Sequence, residues 1–467
     1  MNQQLATLVY IAGICGLFYL DRDAVSRVSK GLWVPVLWLL IVGSRPVSTW
    51  FQSGPTISLA AQYTEGSPID ATVYGILIVA GLVVLATRWA RASRFLRANW
   101  AILLFFAYCA ASIVWSDYSF IALKRWIKAV GDLVMVMIVL TDPDPLTALK
   151  RFFSRPAFIL LPLSVLFIKY YPDLGRAYDP WSWVPMFCGV TTFKNLLGMT
   201  CLFCGLGSVW SFTGAWRTPK SKERRRHLIA HGIIVAMTFW LILTADSMTS
   251  FSCFMMGGSL LVLTFQRRES RRMKAVHLLV AGAVTLSVCS LFVDPSAMLH
   301  SIGRDPTLTG RTNIWRAVLA QHTNPLVGTG FESFWMGSRL DRVDAVTEKG
   351  IQEAHDGYLE VYLNLGMVGI ILLGTLILTG YRNILAVFRR DPHAGRIRLA
   401  FFTAGVIYSL TEAGFRMMSP IWIGFLLAIA AVPSEPRRRK VKQSATVRVR
   451  QVEPLAEPAS VLQMRST

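Results

Sequence analysis

The chain has 467 residues, 53% of them hydrophobic and only 16% charged, with a formal net charge of +21. Mean hydropathy is +0.46, and so small a charged fraction, against roughly a quarter in soluble domains, excludes an ordinary water-soluble enzyme. The positive charge is spread over short segments between apolar runs, so it reads as a membrane-topology signal and no nucleic-acid partner is expected.

Taken in chain order, apolar runs fall near 5–20, 31–43, 71–87, 98–115, 126–141, 156–170, 192–212, 228–244, 248–265, 276–293, 357–380, 398–414 and 417–433. A crossing helix needs about 20 mostly apolar residues, fewer where flanking side chains snorkel. The first two runs are short, so the count is twelve or thirteen. None alternates strictly, which excludes a barrel. The fold expected is an all-α integral membrane protein of about 12–13 transmembrane helices with one large structured external loop. The first run lacks a basic leader and a small-residue cleavage site and is expected to be retained.

Polar features inside the runs are few. Asp132 has Lys128 one turn earlier as a sufficient partner. Of seven cysteines, Cys201 and Cys204 have redox-motif spacing but lie within a span, where they read as small core residues. The loop 171–191 is rich in Trp and Tyr, which fits an interfacial aromatic belt better than sugar stacking. Loop 44–70 offers only Glu65 and Asp70 as acids, and no zinc-type cluster occurs, so no metal and no cofactor is expected.

Basic residues concentrate in cytoplasmic loops. Arg88, Arg91, Arg94 and Arg97 form one cluster; 216–227 carries six Lys/Arg against one Glu; 266–274 carries five against one; Arg382, Arg389, Arg390, Arg396 and Arg398 form another; the tail opens EPRRRKVK. With thirteen spans all of these fall on one side. The C-terminus is then inside and the N-terminus outside, with added attraction to anionic membrane lipids.

One loop on the other side differs. Residues 294–356 carry six Lys/Arg and eight Asp/Glu, and a loop this long is commonly functional. Ile314, Trp315, Val318 and Leu319 share one helical face, with Thr309 or Thr312 as the cap and Asn324-Pro325 as the stop. That predicts a short amphipathic helix on the outer surface, followed by a glycine-punctuated turn, LVGTGFESFW. Asp356 is placed to cap the next span, which puts His355 at its mouth. Glu412, with Arg416 four residues on, reads either as a structural ion pair or as a substrate contact. Four regions result: N-terminal transmembrane helices (1–293), the external loop (294–356), three closing helices (357–433) and a basic tail (434–467) expected to be disordered.

Three blocks carry a resemblance: GVTTFKNLLG (189–198), LTGRTNIW (308–315) with NPLVGTGFESF (324–334), and EAHDGYLEVYLNLGMVG (353–369). In this order, on one predicted side, they resemble the O-antigen ligase and polysaccharide polymerase superfamily of bacterial inner membranes, most of all its exopolysaccharide-production polymerases of the succinoglycan type. One departure is the stretch ADSMTSF, where Met248 stands in the place of the family's basic residue.

The resemblance implies a metal-independent glycosyltransferase of the inner membrane. Such an enzyme passes a glycan from an undecaprenyl-diphosphate-linked oligosaccharide to an acceptor hydroxyl on the periplasmic side, beside other polysaccharide export proteins. It implies Arg311 as the cation for the leaving diphosphate and His355 as the general base, oriented by Asp356 or Glu353. Lys194 reads as a second phosphate cation or an interfacial anchor. Asn195, Arg316, Tyr358, Glu412 and Arg416 complete the expected substrate contacts. Gly328 and Gly330 read as an ordinary turn rather than an anion nest. Gly366, Gly369 and Gly374 permit close packing beside a groove for the polyprenyl tail. A polymerase is expected, with an O-antigen ligase or a transporter of lipid-linked sugars as alternatives.

Overall fold

A computed structural model describes residues 2–22, 28–51, 66–178, 184–264, 311–347 and 351–432, together with Gly282. The 276–293 run and the tail, like Glu65 and Thr309, lie outside the described residues. Within them the chain is helical apart from one small hairpin, β1 (Arg176–Tyr178) against β2 (Pro185–Phe187). In chain order the helices are α1 (Gln3–Leu20), α2 (Trp33–Val42), α3 (Val47–Phe51), α4 (Pro68–Ala86), α5 (Trp89–Ala98), α6 (Trp100–Ala111), α7 (Ser119–Leu140), α8 (Pro145–Tyr170), α9 (Lys194–Trp216), α10 (Lys222–Thr244), α11 (Met248–Leu263), α12 (Arg311–Leu319), α13 (Gly337–Thr347), α14 (Gly357–Arg390), α15 (Pro392–Tyr408) and α16 (Pro420–Ile429).

The described apolar runs are helical over most of their length, and the chain is an all-α, multi-pass membrane protein. Among the described residues six helices are long and apolar enough to cross a bilayer unaided: α1, α4, α8, α9, α10 and α14. α5 and the segment Trp100–Trp115 pass together, although bent by 84°. The remaining expected spans are short (α2, α11, α16) or carry charge, as α7 does with Lys124, Arg125, Lys128 and Asp132. Such helices are tolerable where neighbouring helices, rather than lipid, surround them.

The core is aromatic and close-packed. Phe153 stacks on Phe401 at 5.0 Å and meets Phe203 at 5.1 Å, where α8, α9 and α15 converge. The Trp38 indole reaches across to α7 because Gly131 has no side chain; a Cβ there would lie 2.3 Å from the ring. The indole donates to Asp132 Oδ1 at 2.8 Å, and the Met418 amide donates to Oδ2 at 2.8 Å. The expected Lys128 partnership is therefore replaced. Asp132 instead ties α2 and α7 to the loop between α15 and α16, and Lys128 lies over the Tyr74 ring at 5.5 Å.

Within α14, Gly366 breaks the helix with φ 64° and ψ −163°. A break at this depth orphans backbone groups that must find partners. Segment 325–330 supplies them. The Thr329 and Gly330 amides donate to the Leu363 and Asn364 carbonyls, and the Met367 and Val368 amides donate to the Pro325 and Leu326 carbonyls, all at 2.9–3.1 Å. Tyr108 Oη donates to the Leu365 carbonyl at 3.0 Å. Gly366 thus serves a break rather than close helix packing, and among the described residues Gly374 has no neighbour within 4 Å of where a Cβ would stand.

Among the described residues the basic segments gather at one end of the bundle. Asn99 after α5 bonds Ala431, Arg398 bonds Ala430, and Trp210 near the end of α9 bonds the His393 carbonyl. Asn195, His355 and Glu412 meet at the other end.

Candidate active site

Three chain segments converge there: the 351–356 coil before α14, the start of α12, and the irregular 409–419 loop. Asp356 caps α14 as expected, its Oδ1 accepting from the Tyr358 and Leu359 amides at 2.8 and 2.9 Å. This occupies the Asp356 carboxylate and leaves His355 to other acids. His355 has φ 51°, a left-handed conformation costly for a side chain of this kind. Among the described residues the other positive-φ non-glycines are Glu332, Met418 and Asp246. All four lie at this end, and such backbone strain tends to persist at functional sites.

His355 Nδ1 sits 3.1 Å from Glu353 Oε1 and 3.2 Å from Glu412 Oε2. The other Glu412 oxygen takes Arg311 Nη2 at 2.8 Å, while Arg311 Nη1 donates to the Thr411 carbonyl. Asn195 Nδ2 approaches both Glu412 oxygens at 3.4 Å. Arg416 Nε bonds Glu332 Oε2 at 3.2 Å, with Glu353 Oε2 3.7 Å from its Nη1. The sequence reading of a Glu412–Arg416 pair one helical turn apart is corrected. Residues 409–419 are not helical, and Glu412 belongs to Arg311 and His355 while Arg416 belongs to Glu332 and Glu353. The acids that hold His355 are Glu353 and Glu412.

Burial grades across the cluster. The Glu412 side chain is 7% exposed, whereas those of His355 and Glu353 are each 26% exposed. Burial disfavours the charged imidazole, but hydrogen bonds to Glu353 and Glu412 outweigh it and raise His355 to about 10. Burial pushes the Glu332 carboxyl up to about 7, against the pull of Arg125. Burial likewise lifts Asp356 to about 6, against its capping amides. The carboxylates clamp the imidazole through Nδ1 and favour its charged form, so only the deprotonated fraction offers a lone pair at Nε2. Among the described residues Nε2 has no hydrogen-bond partner. An imidazole held in this way can take a proton at Nε2 while its Nδ1–H stays bonded. Glu353, His355 and Glu412 also place one ligand atom each within 4.8 Å of one another and could hold a metal ion.

Other expected residues are placed differently. Lys194 pairs with exposed Asp246 at 3.5 Å and does not join the cluster, although Asn195 beside it does. Arg316 is exposed, one turn along α12, with Asn313 Oδ1 3.4 Å away. Tyr358 is buried, its hydroxyl donating to the Val406 carbonyl at 3.1 Å. α12 buries Ile314 and Val318 as expected, but Leu319 is exposed. Thr312 lies inside the helix rather than at its cap, and the helix ends at Leu319, before Asn324. The Gly328 and Gly330 amides are used in the turn against α14. Met248 is exposed, whereas its neighbour Thr249 bonds Thr411 Oγ1 at 2.8 Å. The sequence missed Glu332, whose only signal was an acid inside the aromatic block GFESF. A cavity of about 30 Å³ adjoins Glu332 and Arg416, lined also by Glu360, Asn364, Phe415 and Trp422.

Residues 232–374, which include Arg311 and His355, match the family model described as O-antigen ligase. The chain is 24% identical over 351 residues to the exopolysaccharide production protein ExoQ of Rhizobium meliloti, covering 73% of this chain and 78% of that one. It is 23% identical over 263 residues to a putative polysaccharide ligase of Rickettsia felis, covering 52% and 61%. Over these stretches the chain is similar to the O-antigen ligase and polysaccharide polymerase superfamily. It is thus a multi-pass, O-antigen ligase-like polysaccharide enzyme. Asn195, Glu412 and Arg416 lie outside the matched segment and are joined to it by the fold alone.

Proposed function

We propose that this enzyme transfers a glycan from an undecaprenyl-diphosphate carrier to an acceptor sugar hydroxyl on the periplasmic side of the bacterial inner membrane, polymerising exopolysaccharide repeat units. The observation that carries this reading is that Arg311 and His355 bind opposite oxygens of one buried carboxylate, Glu412. The diphosphate gains negative charge as the glycosidic bond breaks, and a preset guanidinium stabilises that charge without reorganising. Arg311 supplies it, and Arg416 is a second cation nearby. The acceptor hydroxyl loses its proton to Nε2 of the deprotonated His355 ring as its oxygen attacks the anomeric carbon and the bond to the diphosphate breaks. Glu353 and Glu412 hold Nδ1–H and stabilise the imidazolium that forms. No step requires a metal.

The test is a reconstituted, tag-free enzyme in lipid, given a synthetic undecaprenyl-diphosphate repeat unit. Longer lipid-linked chains are expected, with the initial rate unchanged by a chelator. Activity abolished by chelation and restored by added metal would assign the Glu353–His355–Glu412 group to an ion instead. The similarity to a putative polysaccharide ligase of Rickettsia felis favours a ligase as the second reading. Surface glycans of a deletion strain separate the two: single lipid-linked repeats accumulate if a polymerase is lost, and long unattached chains accumulate if a ligase is lost.

A further inference from the structure

A second group of ligand-bearing side chains lies at the basic end of the bundle, where α1, α8 and α10 meet. Asp21 ends α1 as its C-terminal cap. His227 and His231 stand four residues apart on α10, on one face of the helix, as 3.6-residue periodicity requires. His227 Nδ1 lies 2.8 Å and His231 Nε2 3.2 Å from the same atom, Asp21 Oδ1. α9, 23 residues long, separates this end from the His355 cluster by roughly 1.5 Å per residue, on the order of 30 Å. The O-antigen ligase match begins at residue 232, just beyond His231.

We propose that Asp21, His227 and His231 form a binding site for a divalent transition-metal cation of the zinc class. The three ligand atoms lie within 4.8 Å of one another, and bonds of about 2.0–2.2 Å from a central ion bring such atoms to tetrahedral spacing with small side-chain rotations. Two imidazole nitrogens and one carboxylate oxygen suit zinc, cobalt or nickel, and not calcium or magnesium, which take oxygen ligands. Part of the outer shell is in place. Ser154 Oγ, on α8, donates to Asp21 Oδ2 at 3.2 Å, which fixes the carboxylate and leaves Oδ1 to the ion. The His231 side chain is 4% exposed, and its Nδ1 is buried with no hydrogen-bond partner. With Nε2 on the ion, Nδ1 is the ring nitrogen left to carry the proton. The His227 side chain, 31% exposed, gives the ion an entry path. Two cations stand close: Arg155 lies over the Trp33 ring at 4.2 Å, and Arg226 donates to the Tyr19 carbonyl at 2.6 Å. A bound ion would join α1, whose apolar window is only 11% buried, to α10.

Cobalt(II) titration of the tag-free, full-length protein in lipid nanodiscs tests this. One equivalent with the absorption bands of a low-coordinate site is expected, displaced by zinc(II). His227→Gln should weaken cobalt binding by more than the roughly 10- to 100-fold that outer-shell changes cost. His355→Gln, which alters the other candidate group, should leave that equivalent in place. No uptake by the wild type, unchanged uptake in His227→Gln, or loss of the equivalent in His355→Gln would overturn the assignment. The exposed His227 keeps the test available even where His231→Gln fails to fold.

Discussion

Two histidine–carboxylate clusters sit at opposite ends of one helix bundle. At the basic end, His227 and His231 ride on a regular helix and meet a single carboxylate, Asp21. At the other end, His355 is held in a left-handed turn between Glu353 and Glu412, and Arg311 and Arg416 close the network. The helical pair is set by spacing alone and costs the backbone nothing. The His355 cluster needs three loop segments to converge, and its strain is repaid by packing around it. The first arrangement is suited to gripping a small ion, and the second to handling charge that appears and leaves during a reaction.

The largest expected effect that could break this contrast is at His355. His355→Ala should insert and fold but lose transfer by about 10²–10⁴-fold in kcat/KM, the usual contribution of a general base; full activity would remove His355 from the chemistry. Glu412→Gln follows. It leaves Arg311 without its partner carboxylate, and breaking a buried pair costs about 3–5 kcal/mol, to be read as a lower unfolding midpoint in detergent. Gly366→Ala comes next. Its Cβ would stand 2.3 Å from Leu326 backbone atoms at φ 64°, so a loss of at least about 1–3 kcal/mol is expected from strain alone.

The pH dependence sharpens the comparison with smaller effects. If deprotonated His355 is the base, kcat/KM climbs with pH toward about 10. Glu353→Gln removes a bond that raises the imidazole, so the rising limb should move to lower pH. His227→Gln should alter metal uptake and leave that limb where it is. Stability carries the same signature. His355 has a folded value raised above its ordinary 6.5, so its contribution is fully present below pH 6.5 and is lost as pH rises through about 10. An alkaline fall in the unfolding midpoint that is absent from His355→Gln would show it.

Much of this architecture was legible from residue order. The described apolar runs became helices because hydropathy alone decides which segments leave water. Asp356 capped its helix because a cap is a local device. Arg311 and His355, singled out by type and block, are brought to one carboxylate. What escaped was pairing over distance. One of the two readings of Glu412, a pair with Arg416, presumes a helix, but 409–419 is irregular, and both residues turn to partners elsewhere in the chain. Asp132 was given the nearest lysine, when its true partners, Trp38 and Met418, are brought to it by packing. Glu332 carried no spacing signal because its cation, Arg416, lies 84 residues away.

The discontinuity at Gly366 also changes what the last long helix is for. The stretch from 367 to 390, at 1.5 Å per residue, reaches about 36 Å, enough to cross a hydrocarbon core of about 30 Å by itself. The preceding stub, 357–365, is then surplus to crossing. It works as a pedestal: clasped from the side by segment 325–330, it carries the Glu353–Asp356 corner beyond the part of the helix that is long enough to cross.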